Sequence, residues 1–125
     1  MLFPEALLAG LIGLILGSLV TALSWRLPRG EPIALDRSRC PSCRHVLGPR
    51  DLVPVLSWLL AGGRCRYCAA RLSLRYPLIE VVTSGLTVLI WAWAGAHPLV
   101  GAPLVLAMVG LMVVVVIGVE GKGRR

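Results

Sequence analysis

Three long apolar stretches alternate with polar chain. The first runs from Leu2 to about Leu23 and carries one charge, Glu5, near its start. The second covers Leu78 to about Ala94, and the third Leu99 to about Val119, with a Val-rich end unbroken by charge. At about 1.5 Å of rise per residue, a helix over the first run can cross a hydrocarbon core about 30 Å thick. Gly95, His97 and Pro98 leave only a short turn between the second and third runs, which forces an antiparallel hairpin. The pattern predicts an all-α membrane protein of three transmembrane helices with a polar loop between the first and second. The expected divisions are a first helix over 1–25, a cytoplasmic loop over 26–77, a second helix over 78–96, and a third helix with a basic tail over 97–125. The first run has no basic residue before it and is longer than the apolar segment of a cleavable signal, so it is expected to remain as an anchor.

Composition agrees. Of 125 residues, 57% are hydrophobic and 15% charged, and mean hydropathy is +0.82. A globule this small cannot hide so much apolar surface, so the bilayer must solvate much of it. Net charge is +7, and ten of the thirteen basic residues lie between Arg26 and Arg75, the others being Lys122, Arg124 and Arg125. A basic loop fits nucleic-acid binding or the positive bias of cytoplasmic loops. The apolar flanks favour the second, with no nucleic-acid partner. The N-terminus is then expected outside, with loop and C-terminus cytoplasmic. Arg26 is expected to snorkel to the headgroups, with Trp91 and Trp93 at the outer interface.

All four cysteines fall in the loop, as Cys40-Pro-Ser-Cys43 and Cys65-Arg-Tyr-Cys68. Two residues between cysteines let both sulfurs turn toward one ion, and two such pairs about twenty residues apart match zinc-ribbon spacing. The predicted occupant is a structural Zn²⁺, since four thiolates leave no open position for a reacting water. Two disulfides, a redox role or unconnected thiols are the alternatives, and a cytoplasmic loop disfavours disulfides. Arg39, Arg44, Arg64 and Arg66 would screen the thiolate charge. His45 is read as a surface residue, since four cysteines already complete the ligand set.

Other candidates sit around this centre. Gly10, Gly13 and Gly17 space the first helix for close approach by another helix, either a partner or one of the chain's own spans, the latter favoured. Arg75 and Glu80 open the second span, where they form either a functional pocket or, preferably, a cap and interface anchor. Between the cysteine pairs, Asp51 is expected to cap a short helix with Pro54 in its first turn. Its apolar face, Leu56, Trp58, Leu59 and Leu60, would form a small loop core or rest on the membrane interface.

These segments resemble a known family. Gly17-Ser-Leu-Val-Thr-Ala-Leu-Ser-Trp-Arg-Leu-Pro28 is similar to the end of the first helix of prepilin peptidases, the type IV leader peptidases. Ser38–Cys43, Pro54–Trp58, Gly63–Cys65 with Cys68, and Ser73–Glu80 resemble that family's cysteine-rich loop and second-helix entry. The resemblance covers about the first ninety residues and concerns the amino-terminal domain. The family usually has asparagine where Thr21 stands, and glycine where Arg44 and Ala69 follow the cysteine pairs, which predicts strained left-handed backbone there.

The resemblance implies an aspartic endopeptidase that cleaves prepilin leaders and N-methylates pilin with S-adenosylmethionine. Cleavage needs two carboxylates sharing a proton. The chain's two aspartates, Asp36 and Asp51, are both in the loop; the family's first catalytic aspartate would fall near Gly118, and its Gly-x-Gly-Asp motif after Arg125. No methyl-donor signature stands out. The expectation is an accessory protein, not proteolytic alone, which binds prepilin or a separate catalytic half through the loop and the first-helix glycines. The alternatives are a pilin N-methyltransferase, or a split or truncated peptidase needing a partner with the aspartates.

Overall fold

A computed structural model describes residues 2–34 and 36–123. Arg124 and Arg125 of the expected basic tail lie outside the described residues, as do Met1 and Leu35. Among the described residues four α-helices follow in chain order: α1 (Phe3–Arg26), α2 (Leu56–Leu60), α3 (Arg75–Trp93) and α4 (Pro98–Gly123). Helices α1, α3 and α4 are long and apolar enough to cross a membrane. Among the described residues the remaining pairing is two isolated antiparallel bridges in the loop, Arg39 with Val46 and Arg64 with Arg71.

Helix α1 opens with Pro4 in its first turn, where a missing N–H costs nothing, and the Glu5 carboxylate accepts the Leu2 N–H at 3.1 Å. It closes through a 3-10 turn, Leu27–Arg29, ended by left-handed Gly30 at φ 66°. Helix α3 starts at Arg75, three residues before the expected Leu78. Pro77 sits inside its first turn rather than before it, since no intrahelical bond needs its N–H there. Gly95 (φ 63°) and Ala96 (φ 59°) reverse the chain into α4.

The glycines set how closely α1 meets α3. A Cβ on Gly17 would lie 2.5 Å from Glu80 Cα, and one on Gly13 would lie 2.5 Å from Ser84 Cα. The Ser84 hydroxyl donates to the Gly10 carbonyl at 2.8 Å, so the approach also makes an interhelical hydrogen bond. As α1 numbering rises, the facing α3 numbering falls, so the two run antiparallel. These glycines therefore face the chain's own second span and are not free to receive a partner helix.

Helix α4 lies against α1 along a second stripe. Val20, Val109 and Val113 form its buried centre, flanked by Leu16, Leu23, Met108 and Met112. Buried hydroxyls are satisfied within their own helices: Ser24 donates to Val20 O, Thr83 to Ile79 O, and Thr87 to Thr83 O, at 2.6–2.8 Å. That self-sufficiency suits helices in lipid, where water cannot complete a hydrogen bond. The outer faces expose Leu7, Leu11, Ile15, Leu89, Leu106 and Val114, a belt that an aqueous monomer would not carry.

Gly17→Leu is expected to lower stability by about 1–3 kcal/mol, because the new side chain meets backbone that cannot swing away. Gly110→Ala, with nothing within 4 Å of its added Cβ, should stay within about 0.5 kcal/mol. Unfolding of both variants in mixed micelles measures the difference.

Candidate metal centre and adjoining cavity

The loop begins by folding back on α1. Arg26 spends its guanidinium on the carbonyls of Pro32 and Ile33 (both 3.0 Å) and Asp36 (2.9 Å). The guanidinium expected at the headgroups therefore holds the chain that follows α1. Arg29 lies 3.4 Å over the Trp25 ring and donates to the Trp25 carbonyl at 2.7 Å.

The two cysteine pairs then form matching knuckles. In the first, Cys40 N–H donates to His45 O (3.1 Å), Arg44 N–H to Cys40 O (3.0 Å), and Leu47 N–H to Ser38 O (2.8 Å). In the second, Cys65 N–H donates to Ala70 O (2.8 Å), Ala69 N–H to Cys65 O (3.0 Å), and Leu72 N–H to Gly63 O (2.8 Å). Every partner is displaced by the same 25 residues, because Arg-Cys-x-x-Cys-x-x-x-Leu occurs twice, at Arg39–Leu47 and Arg64–Leu72. That repeat is visible in the sequence and includes Leu47 and Leu72, which cysteine spacing alone does not single out.

The knuckles face each other and bring the four sulfurs together, all within 4.8 Å of one another. The closest pairs cross between knuckles: Cys40 to Cys68 at 3.8 Å and Cys43 to Cys65 at 4.0 Å. A tetrahedral ion with metal–sulfur bonds of about 2.3 Å has sulfur–sulfur edges of about 3.8 Å, so the donor set fits such an ion. All four cysteines are free thiols. Cys65 is drawn down to about 7 by the backbone N–H groups of Cys68 and Tyr67, which stabilise its thiolate. At Cys43 the His45 backbone N–H lowers the pKa, but burial and the neighbouring Cys40, Cys68 and Cys65 side chains outweigh it, leaving about 11. A cation among the sulfurs would remove the mutual repulsion that keeps the last thiol protonated.

Each knuckle turns through a left-handed residue, Arg44 at φ 61° and Ala69 at φ 58°, where glycine is the unstrained choice. His45 does not join the sulfurs. Its ring stacks on Tyr67 with centroids 3.6 Å apart, tying one knuckle to the other. The Tyr67 hydroxyl donates to Asp51 (3.1 Å), and that bond is the main cause raising its pKa. Of the arginines near the cysteines, Arg66 pairs with Asp51 at 3.5 Å and Arg39 with Asp36 at 3.6 Å. Asp51 does not cap α2. It closes the 3-10 turn Pro49–Asp51 by accepting the Gly48 N–H at 3.0 Å, since Val55 at φ 59° breaks the chain before Leu56.

Arg75 and Glu80 are not partners. Arg75 bonds Glu120 of α4 at 3.3 Å, whereas Glu80, nearly buried between α1 and α3, accepts the Val55 N–H at 2.6 Å. The carboxylate thus ties the loop to α3 at a β-branched residue in a conformation such residues rarely adopt. Sequence reading had no signal for this link, because its second member is a backbone group.

Between knuckles and helices lies a cavity of about 570 Å³, within the size range of small-molecule sites. Thr21 and Trp25 of α1, Trp58 of α2, Tyr76 and Glu80 of α3, and Cys40 are among its lining residues. The Trp58 Nε1–H is buried and has no hydrogen-bond partner among the described residues. Gly63 makes room for that indole: a Cβ there would come within 2.8 Å of the ring.

The family model described as the Bacterial Peptidase A24 N-terminal domain matches residues 11–94. A "Type 4 prepilin-like proteins leader peptide-processing enzyme" of Escherichia coli O78:H11 is 38% identical over 133 aligned positions, covering 86% of this chain and 49% of that protein. A "Prepilin leader peptidase/N-methyltransferase" of Bacillus subtilis is 37% identical, covering 87% of this chain and 42% of the relative. Its namesake in Myxococcus xanthus is 44% identical over 72 residues, covering 58% and 22% respectively. The chain spans less than half the length of these relatives. No solved structure matches it.

Ala69→Gly is expected to raise the loop's stability by about 1 kcal/mol, by removing left-handed strain. Thermal unfolding should show a higher midpoint. Glu80→Ala should cost about 1–3 kcal/mol by orphaning the Val55 N–H. The Val55 amide should then exchange faster with deuterated solvent.

Proposed function

The chain belongs to the Bacterial Peptidase A24 N-terminal domain family, and from that premise we propose that it is a membrane-embedded module of prepilin processing. In this reading it engages prepilin, or a separate catalytic half, through the cysteine loop, and does not cleave leaders by itself. The loop faces the cytoplasm, as its ten basic residues favour. The N-terminus is outside and α4 returns the chain to the cytoplasmic side of a bacterial inner membrane.

One observation carries the reading: both aspartates are committed to the cysteine loop. Asp51 holds Gly48, Tyr67 and Arg66, and Asp36 pairs with Arg39. The glutamates on the long helices are also engaged, Glu5 by Leu2 N–H, Glu80 by Val55 N–H and Glu120 by Arg75. Carboxylates that activate water on a scissile peptide would have to come from outside these residues.

Zn²⁺ is the ion that Cys40, Cys43, Cys65 and Cys68 are proposed to hold. Four sulfurs at near-tetrahedral spacing suit a closed structural site. Binding energy of about 10–16 kcal/mol in small zinc peptides is enough to order a loop with so little core. The protein's part is to hold the thiolates, donate backbone N–H groups to Cys65, and keep the knuckles facing.

The cavity favours a second reading, in which the chain carries part of an N-methyltransferase site. Its size, the unpartnered Trp58 donor and the Glu80 carboxylate could accommodate S-adenosylmethionine, which would supply the transferred methyl group. Calorimetry with S-adenosylmethionine and pilin peptide tests it, and no heat from folded, metal-loaded protein removes it.

Elemental analysis of purified protein is expected to find one zinc per chain. Cys43→Ser or Cys68→Ser should weaken zinc retention by about tenfold or more. Incubated with a prepilin in vesicles, the chain alone should bind without releasing leader peptide. Cleavage by the chain alone would end the accessory reading.

A further inference from the structure

Helix α2 is five residues long and has two unlike sides. Ser57, Trp58 and Ala61 turn inward and line the cavity against α1 and α3. Leu56, Leu59 and Leu60 turn outward at 52%, 59% and 74% exposure, preceded by exposed Val53. The loop therefore does not bury these leucines in a core of its own.

Their depth follows from the Glu80 link. Glu80 Cα lies about 7.5 Å along α3 from Arg75, and helical side chains lean back toward the helix start. Its bond to Val55 N–H holds the residue just before α2 level with the first turns of α3. Arg75 and Glu120, paired at 3.3 Å, mark the polar end of the same bundle. The outward leucines thus sit beside membrane-crossing helices, at the level where those helices leave the hydrocarbon. Near the same end of the bundle Leu27, just after α1, and Leu74 and Leu78, at the start of α3, are exposed as well.

We propose that α2 is an interfacial anchor: its leucine face is seated in the boundary between headgroups and acyl chains of the bilayer. Amphipathic segments bury their apolar face about 5–10 Å into that zone, the depth the Glu80 link sets. The bilayer then forms one wall of the loop's support, and the cavity behind α2 lies between protein and the lipid-seated helix. The proposal is independent of which ion the cysteines hold and of what the cavity binds.

The test uses the full chain in nanodiscs of phosphatidylcholine and phosphatidylglycerol, with leucine methyl groups isotopically labelled. One set carries lipid bearing a nitroxide high on its acyl chain, and another a water-soluble gadolinium chelate. The Leu59 and Leu60 methyls should relax about twofold or more faster from the lipid probe than those of cavity-lining Leu47 and Leu72, and less from the chelate. The reverse order, or protection from both probes as a second copy of the chain would give, overturns the proposal. In a Leu59→Asp, Leu60→Asp double variant that retains its metal, Leu56 should lose contact with the lipid probe, and unchanged contact also overturns it. The wild-type measurement decides the matter even if that variant does not fold.

Discussion

Close contact between α1 and α3 at two glycines is the constraint on which the rest depends. The cysteine loop is anchored at the end of one helix and the start of the other. Where Gly13 and Gly17 let backbone meet backbone, the two attachment points are drawn together, and the loop must fold back over the helix ends. Lipid gives no hydrophobic driving force for this contact, so packing and the Ser84 to Gly10 hydrogen bond must sustain it. The Glu80 to Val55 bond is made at the same level of the bundle, directly opposite Gly17. Helix packing and loop position are thus one problem, solved over about two turns of α3.

Above that contact, order is maintained by polar rather than apolar means. Guanidinium groups gather carbonyls at Arg26, the His45 and Tyr67 rings stack, and two knuckles repeat one hydrogen-bond pattern. Arg44, Val55 and Ala69, all at positive φ, show that the loop carries strain in three places. Strain of that kind persists only where surroundings over-determine the conformation. A shared ion would do this for Arg44 and Ala69, and the Glu80 carboxylate does it for Val55.

Much of this was legible in the sequence. Three long apolar runs, with one carboxylate each in the first two, pointed to helices in lipid, and the cysteine spacing foretold a single cluster. The left-handed turns at Arg44 and Ala69 were foreseen from the glycine that the family places there. Harder to see was anything joining a side chain to a distant main-chain group. Glu80 has Arg75 five positions away as an obvious partner, yet takes an amide 25 residues back, while Arg75 reaches Glu120. Asp51 looked like a helix cap because Pro54 follows it, but a reversal at Val55 separates it from α2. Periodicity and spacing report on elements, and these links depend on how elements are stacked.

The duplicated knuckle has a consequence for biosynthesis. Cys43 and Cys65 are 22 residues apart in the chain, so at synthesis rates of about 5–20 residues per second the first pair of thiols emerges about 1–4 seconds before the second. During that interval the nascent chain offers a bidentate half-site with the first span already made. Closure must wait until the second knuckle leaves the ribosome, and the Glu80 clasp must wait longer still. Assembly therefore has a built-in order, in which both knuckles are complete before Glu80 is available to dock the loop onto α3.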